Sequence, residues 1–176
     1  MVETVVYEEI GRIGEIELRK YPSLIIATVT GYSENEAFGF LFRFISGQNR
    51  TKQRMAMTAP VITSEKIEMT APVVSGAASM SFIMPSRFSR DILPDPLDSQ
   101  VQIHEIPARE VAVIRFKGYA DEVSVAEVTT RLLSNLEKEG ISVVGSPFLM
   151  RYNSPWTPGF LRRNEVGSEI RRKPSG

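Results

Sequence analysis

The chain has no cysteine and a single histidine among its 176 residues. Without thiols there is no disulfide, no thiolate nucleophile and no Cys-ligated zinc or iron–sulfur cluster. One imidazole, His104, leaves no convincing Ser-His-Asp arrangement. Excess charge of one sign is missing too, since 21 Lys+Arg balance 21 Asp+Glu. No net field therefore favours nucleic acid or an acidic membrane. Glycine loops of the Walker or dinucleotide type are absent. Glu65, Glu68 and Asp91 have no obvious carboxylate partner for acid–base work. No apolar run approaches the ~20 residues that span a bilayer, and no basic segment leading into an apolar stretch opens the chain. These absences predict a soluble, cytoplasmic, non-enzymatic protein, a monomer or weak homodimer, without nucleic-acid binding or membrane insertion.

What is present is an ordinary globular composition, 42% hydrophobic and 24% charged, in a length that suits one domain over residues 1–176. Met-Thr-Ala-Pro-Val occurs twice, at Met57–Val61 and Met69–Val73. Each proline fixes φ and biases the preceding alanine towards extended backbone, so each copy reads as a strand. Polar Thr63-Ser64-Glu65-Lys66 between them suits a hairpin turn.

A longer repeat is visible as well. Ile16–Tyr21, Pro22, the apolar run Leu24–Val29 and Gly31-Tyr32 precede a helix from Glu34 to about Ile45. Val101–Ile106, Pro107, Val111–Phe116 and Gly118-Tyr119 precede a longer helix that opens at Asp121-Glu122 and ends near Gly140. Further strands are expected at about Arg54–Thr63, Lys66–Val74, Ser79–Met84, Phe148–Tyr152 and Asn164–Ile170, with a proline-rich loop over Pro85–Pro96. The pattern predicts an α+β fold: a distorted antiparallel β-barrel or bent sheet covered by two helices. Its pseudo-twofold duplicated halves would span about 16–84 and 101–170, in a core of about 16–170.

The second helix has one apolar stripe, Val125, Val128, Leu132, Leu133 and Leu136. The first is apolar over more of its circumference. Phe38, Leu41, Phe42 and Ile45 form the expected core stripe, and Phe40 and Phe44 form an extra flank that needs a cover. The chain's own loops, a partner subunit and a flat apolar ligand are the alternatives.

Several strings together resemble one family. They are Tyr21-Pro22, Ser46-Gly47-Gln48-Asn49, the paired Met-Thr-Ala-Pro-Val, Ser81–Pro85, Ile106–Arg109 and the closing run Arg151–Val166. As a set they resemble the SOUL family of haem-binding proteins, over about Ile16 to Val166. The resemblance implies a barrel-like duplicated fold that binds haem or metal-free porphyrin, without established catalysis, in an apolar cleft. Carried onto this chain, the cleft residues are Phe38, Leu41, Phe42 and Arg43 of the first helix and Trp156, Thr157 and Pro158 of the loop before the last strand. Similar folds serve as small-molecule effector or interaction modules, so the fold alone does not name the ligand. Two departures stand out. Gly159 and Gly167 replace the aromatic and the large apolar residue frequent in the family. Lys20 stands where some animal members have a proposed axial histidine.

Haem needs an apolar slot, cations for its propionates and a ligand for iron. Phe40, Phe44, Trp156 and Phe160 can supply walls, and Arg43, Arg54, Arg162 and Arg163 cations. His104 reads as structural rather than as a ligand, and Met55, Met57 and Met69 as packing that can in principle meet iron. The expectation is a tetrapyrrole held weakly or without a protein iron ligand.

Overall fold

Two helices and ten strands make an α+β fold in a computed structural model that describes residues 3–64, 78–153 and 157–173. The strands are β1 (Glu3–Thr4), β2 (Glu8–Ile13), β3 (Ile16–Tyr21), β4 (Leu24–Thr30), β5 (Thr58–Ser64), β6 (Ser79–Ile83), β7 (Gln102–Ile106), β8 (Arg109–Lys117), β9 (Ser142–Arg151) and β10 (Arg163–Arg171). The helices are α1 (Glu34–Ile45) and α2 (Glu122–Lys138), and a 3-10 turn spans Gly159–Leu161. Met69–Val73, and with it the strand expected over Lys66–Val74, lies outside the described residues.

The chain divides into two compact units, Met1–Val5 with Ser23–Pro107 and Val6–Pro22 with Ala108–Gly176. In the first the strand path is β1-β5-β6-β4-β7, and in the second it is β2-β3-β8-β10-β9. Strands equivalent in the repeat follow the same order, β5-β6-β4-β7 and β9-β10-β8-β3. Yet each repeat has ceded its first strand: Ile16–Tyr21 pairs with β8, and Gln102–Ile106 pairs with β4. The cause is local. Only Pro22-Ser23 separates β3 from β4, and only Pro107-Ala108 separates β7 from β8. A two-residue hairpin needs positive φ where proline is locked negative, so neither link can fold its strands back on one another.

Of the two expected forms, the open bent sheet is the one formed rather than the closed barrel. Neither path closes on itself among the described residues, because each ends on an edge strand that can face water. β7 exposes Gln102, His104 and Glu105, and β2 exposes Glu8, Glu9 and Arg12. Charged, polar edges need no further partner. Pairing is antiparallel throughout except for β1, which runs parallel to β5. In β5 the ladder with β6 slips at Ala59-Pro60, where proline has no N–H to contribute. β1, β2 and the opening residues of β9 were not anticipated from the sequence, which there lacks a clean alternation of apolar residues.

Each unit has its own core. In the first, Ala37, Leu41, Phe44 and Ile45 of α1 meet Ala27 and Val29 of β4 and Phe82 of β6. In the second, Val128, Leu132 and Leu136 of α2 meet Ile114, Leu149, Val166 and Ile170.

The second unit also buries an ion pair. Arg19 on β3 and Glu165 on β10 are both fully buried and joined by two hydrogen bonds, Nη1 to Oε1 at 2.8 Å and Nη2 to Oε2 at 2.6 Å. Arg19 also donates to Glu17 and to the Tyr21 hydroxyl, each at 2.8 Å, and lies 4.0 Å over the Tyr7 ring. Arg163 donates to Glu165 at 3.1 Å. Burial alone pushes the Glu165 carboxyl up, but hydrogen bonds from Arg19 and Tyr152 and the nearby guanidinium charges hold it down at about 2. Burial also pushes the Tyr21 and Tyr152 phenols up, so they stay protonated donors.

Because the Glu165 pKa is lowered on folding, its contribution is complete above the ordinary value of 4.5 and is lost as pH falls from there towards about 2. Urea unfolding should therefore show Glu165→Leu costing about 3–5 kcal/mol at neutral pH, because Arg19 is left buried without its partner. In Arg19→Met/Glu165→Leu the acid-side fall should flatten. A cost below about 1 kcal/mol for the single substitution would contradict a structural role for the pair.

Candidate functional site

Local chemistry fixes both ends of α1. The Ser33 hydroxyl accepts the Glu36 N–H at 3.2 Å, and the Glu36 carboxylate accepts the Ser33 N–H at 3.4 Å, a reciprocal capping box. At the other end Gly47 takes φ of 115°, which lets Gln48 N–H reach Arg43 O at 2.9 Å and close the helix.

Asn49, two residues further on, organises the returning chain. It is fully buried, and its Nδ2 donates to Phe44 O at 3.0 Å and to Gln53 O at 2.8 Å. Its Oδ1 accepts Gln53 N–H at 3.1 Å and the Thr51 hydroxyl at 3.3 Å. One side chain thus ties the last turn of α1 to the chain coming back past it. Met55 N–H then donates to Ile45 O at 2.6 Å. The returning segment and the helix enclose a groove of about 390 Å³ lined by Phe42, Ile45, Ser46, Arg54, Met55 and Met57. That volume lies within the ordinary range of ligand sites.

α1 sits rotated from the expected stripe. Its buried face is Ala37, Leu41, Phe44 and Ile45, so Phe44 is 1% exposed and belongs to the core rather than to the extra flank. Phe40 is half-buried, edge-on to Tyr32 at 4.9 Å and beneath the Arg43 guanidinium at 4.9 Å. The rings left open are Phe38 and Phe42, 37% and 48% exposed, stacked with centroids 5.9 Å apart. Small Ala37 on the buried face lets the helix approach the sheet closely, which selects this rotation.

The remaining expected site residues belong to the other unit. Thr157 and Arg162 are half-buried, and Pro158 and Phe160 are exposed. Arg162 Nε donates to Thr157 O at 2.8 Å, and its guanidinium lies 4.6 Å over Tyr119. Trp156 lies outside the described residues. Of the groove lining, Ile45 and Ser46 were not expected at a site, whereas Arg54 was named as a cation and Met55 and Met57 as sulfurs able in principle to meet iron. The signal for it was the Ser46–Asn49 turn, which folds the chain back on the helix.

Gly159 and Gly167 each stand where a side chain would clash. A Cβ at Gly159 would lie 2.6 Å from Tyr119 Cε2, and one at Gly167 would lie 2.8 Å from Phe148 Cε2. Aromatic rings supplied from elsewhere already take the space. His104 is exposed on β7 and Lys20 is exposed on β3, and neither lines the groove.

The model of the family described as SOUL heme-binding protein matches residues 2–169. No curated protein matches the sequence closely enough to count as a relative. Among solved structures, the C-terminal domain of EcmrR is similar at 14% identity and TM-score 0.61, covering 96% of this chain and 99% of that one. An uncharacterized conserved protein from Listeria innocua is similar at 12% identity and TM-score 0.66, covering 89% and 92%. A hydrolase from Listeria innocua is similar at 13% identity and TM-score 0.63, covering 89% and 92%. At such identities the structures share a fold and nothing narrower.

The Asn49 clamp makes a prediction. Asn49→Ala strips partners from the buried Phe44 and Gln53 backbone groups and should cost about 2–4 kcal/mol in thermal or urea unfolding. Amide exchange at Met55, whose N–H depends on the same alignment, should accelerate. Unchanged Met55 exchange would mean the groove is set by something other than Asn49.

Proposed function

The chain belongs to the SOUL family of haem-binding proteins, and from that premise we propose that it holds haem or a related tetrapyrrole in the groove beside α1. The observation that carries the reading is the stacked, open pair Phe38–Phe42, whose second ring is also a wall of the groove.

The residues present fit such a ligand. Phe42 and Ile45 offer an apolar face, and Arg54 on the same lining offers a guanidinium suited to a carboxylate. Haem, when bound, supplies an iron centre for redox or gas-ligand chemistry; the protein's part is to shelter one face of the ring and neutralise its edge. We read the role as carriage rather than catalysis, because the lining has no carboxylate or imidazole to move a proton. The loop around Trp156 enters this reading through the family likeness alone.

Magnitudes favour modest affinity. Burying ~400 Å² of ring at ~25 cal/mol/Å² gives roughly 10 kcal/mol gross. Association costs on the order of 4–15 kcal/mol. A complex of about micromolar affinity is the expected regime from the ring-face contacts alone.

A second reading uses the same rings. Phe38 and Phe42 are exposed enough to dock on an effector-type ligand or another protein chain. The two readings separate by titrating hemin and metal-free protoporphyrin into the protein, with sizing runs alongside. Saturable binding at micromolar concentration, weakened at least about tenfold by Phe42→Glu with the fold retained, supports the carrier. Trp156→Glu probes the loop separately. Absence of any spectral change at tens of micromolar, together with self-association abolished by Phe42→Glu, sinks the carrier and favours the interaction module.

A further inference from the structure

The groove contains a donor that a ring-face carrier does not require. Two of its lining side chains are thioethers, Met55 and Met57, and no imidazole, thiol or carboxylate accompanies them. Thioether sulfur is a recognised soft ligand for haem iron, whereas guanidinium and phenyl groups have no lone pair to offer. Resting on the tetrapyrrole reading, we propose that Met57 is the protein's iron ligand.

The choice between the two sulfurs follows from their surroundings. Met55 is 6% exposed and packed into the core of its unit beside Leu41 and Ile45. Met57 is half-buried and packs against that core without being one of its buried members, so part of its side chain is open to a guest. Its backbone is held from both sides. Met55 N–H is tied to Ile45 O, and β5 begins at the very next residue, where Thr58 pairs with Ile83. A donor on a fixed backbone loses less entropy on coordinating than one on a free loop.

This gives the Met57–Val61 string a division of labour. Thr58 to Val61 anchor the strand, with Pro60 setting the slip in the ladder, and Met57 lines the groove.

The test uses the full chain, hemin and metal-free protoporphyrin, with Met57→Leu as the variant because leucine preserves volume and apolarity. The unaltered protein should bind hemin at least about tenfold more tightly than protoporphyrin. Its dithionite-reduced complex should show a visible band that unbound haem lacks. In Met57→Leu the band should vanish and hemin affinity should fall to that of protoporphyrin, while protoporphyrin affinity stays the same. Equal affinities in the unaltered protein, or a band that survives the substitution, overturn the ligand assignment and leave the tetrapyrrole groove intact. Failure of either ligand to bind removes the groove reading and the assignment together.

Discussion

Everything at the candidate site depends on where the chain goes after α1, and one buried amide decides that. Asn49 holds a carbonyl of the last helical turn and the returning backbone with a single side chain. Polar backbone removed from water must be paired. A tight reversal beneath a helix leaves several such groups facing inward, and an asparagine matches them because it both donates and accepts. The groove lies between the end of the helix and the returning segment, which this amide and the Met55–Ile45 hydrogen bond tie together. Its lining is drawn from both.

The two units solve different problems with the same strand order. The first encloses an apolar interior and leaves Phe38 and Phe42 open on its helix. The second has an apolar core of its own around α2 and in addition buries Arg19, Glu165 and the tyrosines that contact them. A buried pair of this kind contributes little net stability compared with apolar packing, but mispairing it is costly. In a sheet whose first strand is contributed across a proline link, that penalty offers a physical means of fixing the register of β3 against its neighbours. The duplicated sequence thus supports two apolar interiors, one of which also holds an ion pair, and the groove lies on the other unit.

Much of the architecture was legible in the residues. The apolar runs, the proline links and the capping residues located α1, α2 and most strands within a few positions. The short N-terminal strands were not, because a strand of mixed Glu, Gly and Arg forms only when a neighbour supplies its hydrogen bonds. The rotation of α1 was also misjudged. Phe38, Leu41, Phe42 and Ile45 make as good a helical stripe as Ala37, Leu41, Phe44 and Ile45, and periodicity treats the two alike. The sheet prefers the stripe that includes alanine, which allows close approach. The open rings are therefore Phe38 and Phe42 rather than Phe40 and Phe44.

The residues alone determined that this is an α+β chain with a repeated strand–strand–helix plan, without thiol chemistry and with a family likeness strong enough to name a ligand class. Those properties come from local rules: hydrophobic period, capping, the fixed φ of proline and the absence of particular side chains. Which strand pairs with which unit, which helix face is covered and which side chains line a groove were settled by the tertiary structure. Each is a competition between alternatives of nearly equal local merit, and only packing against a distant segment breaks the tie.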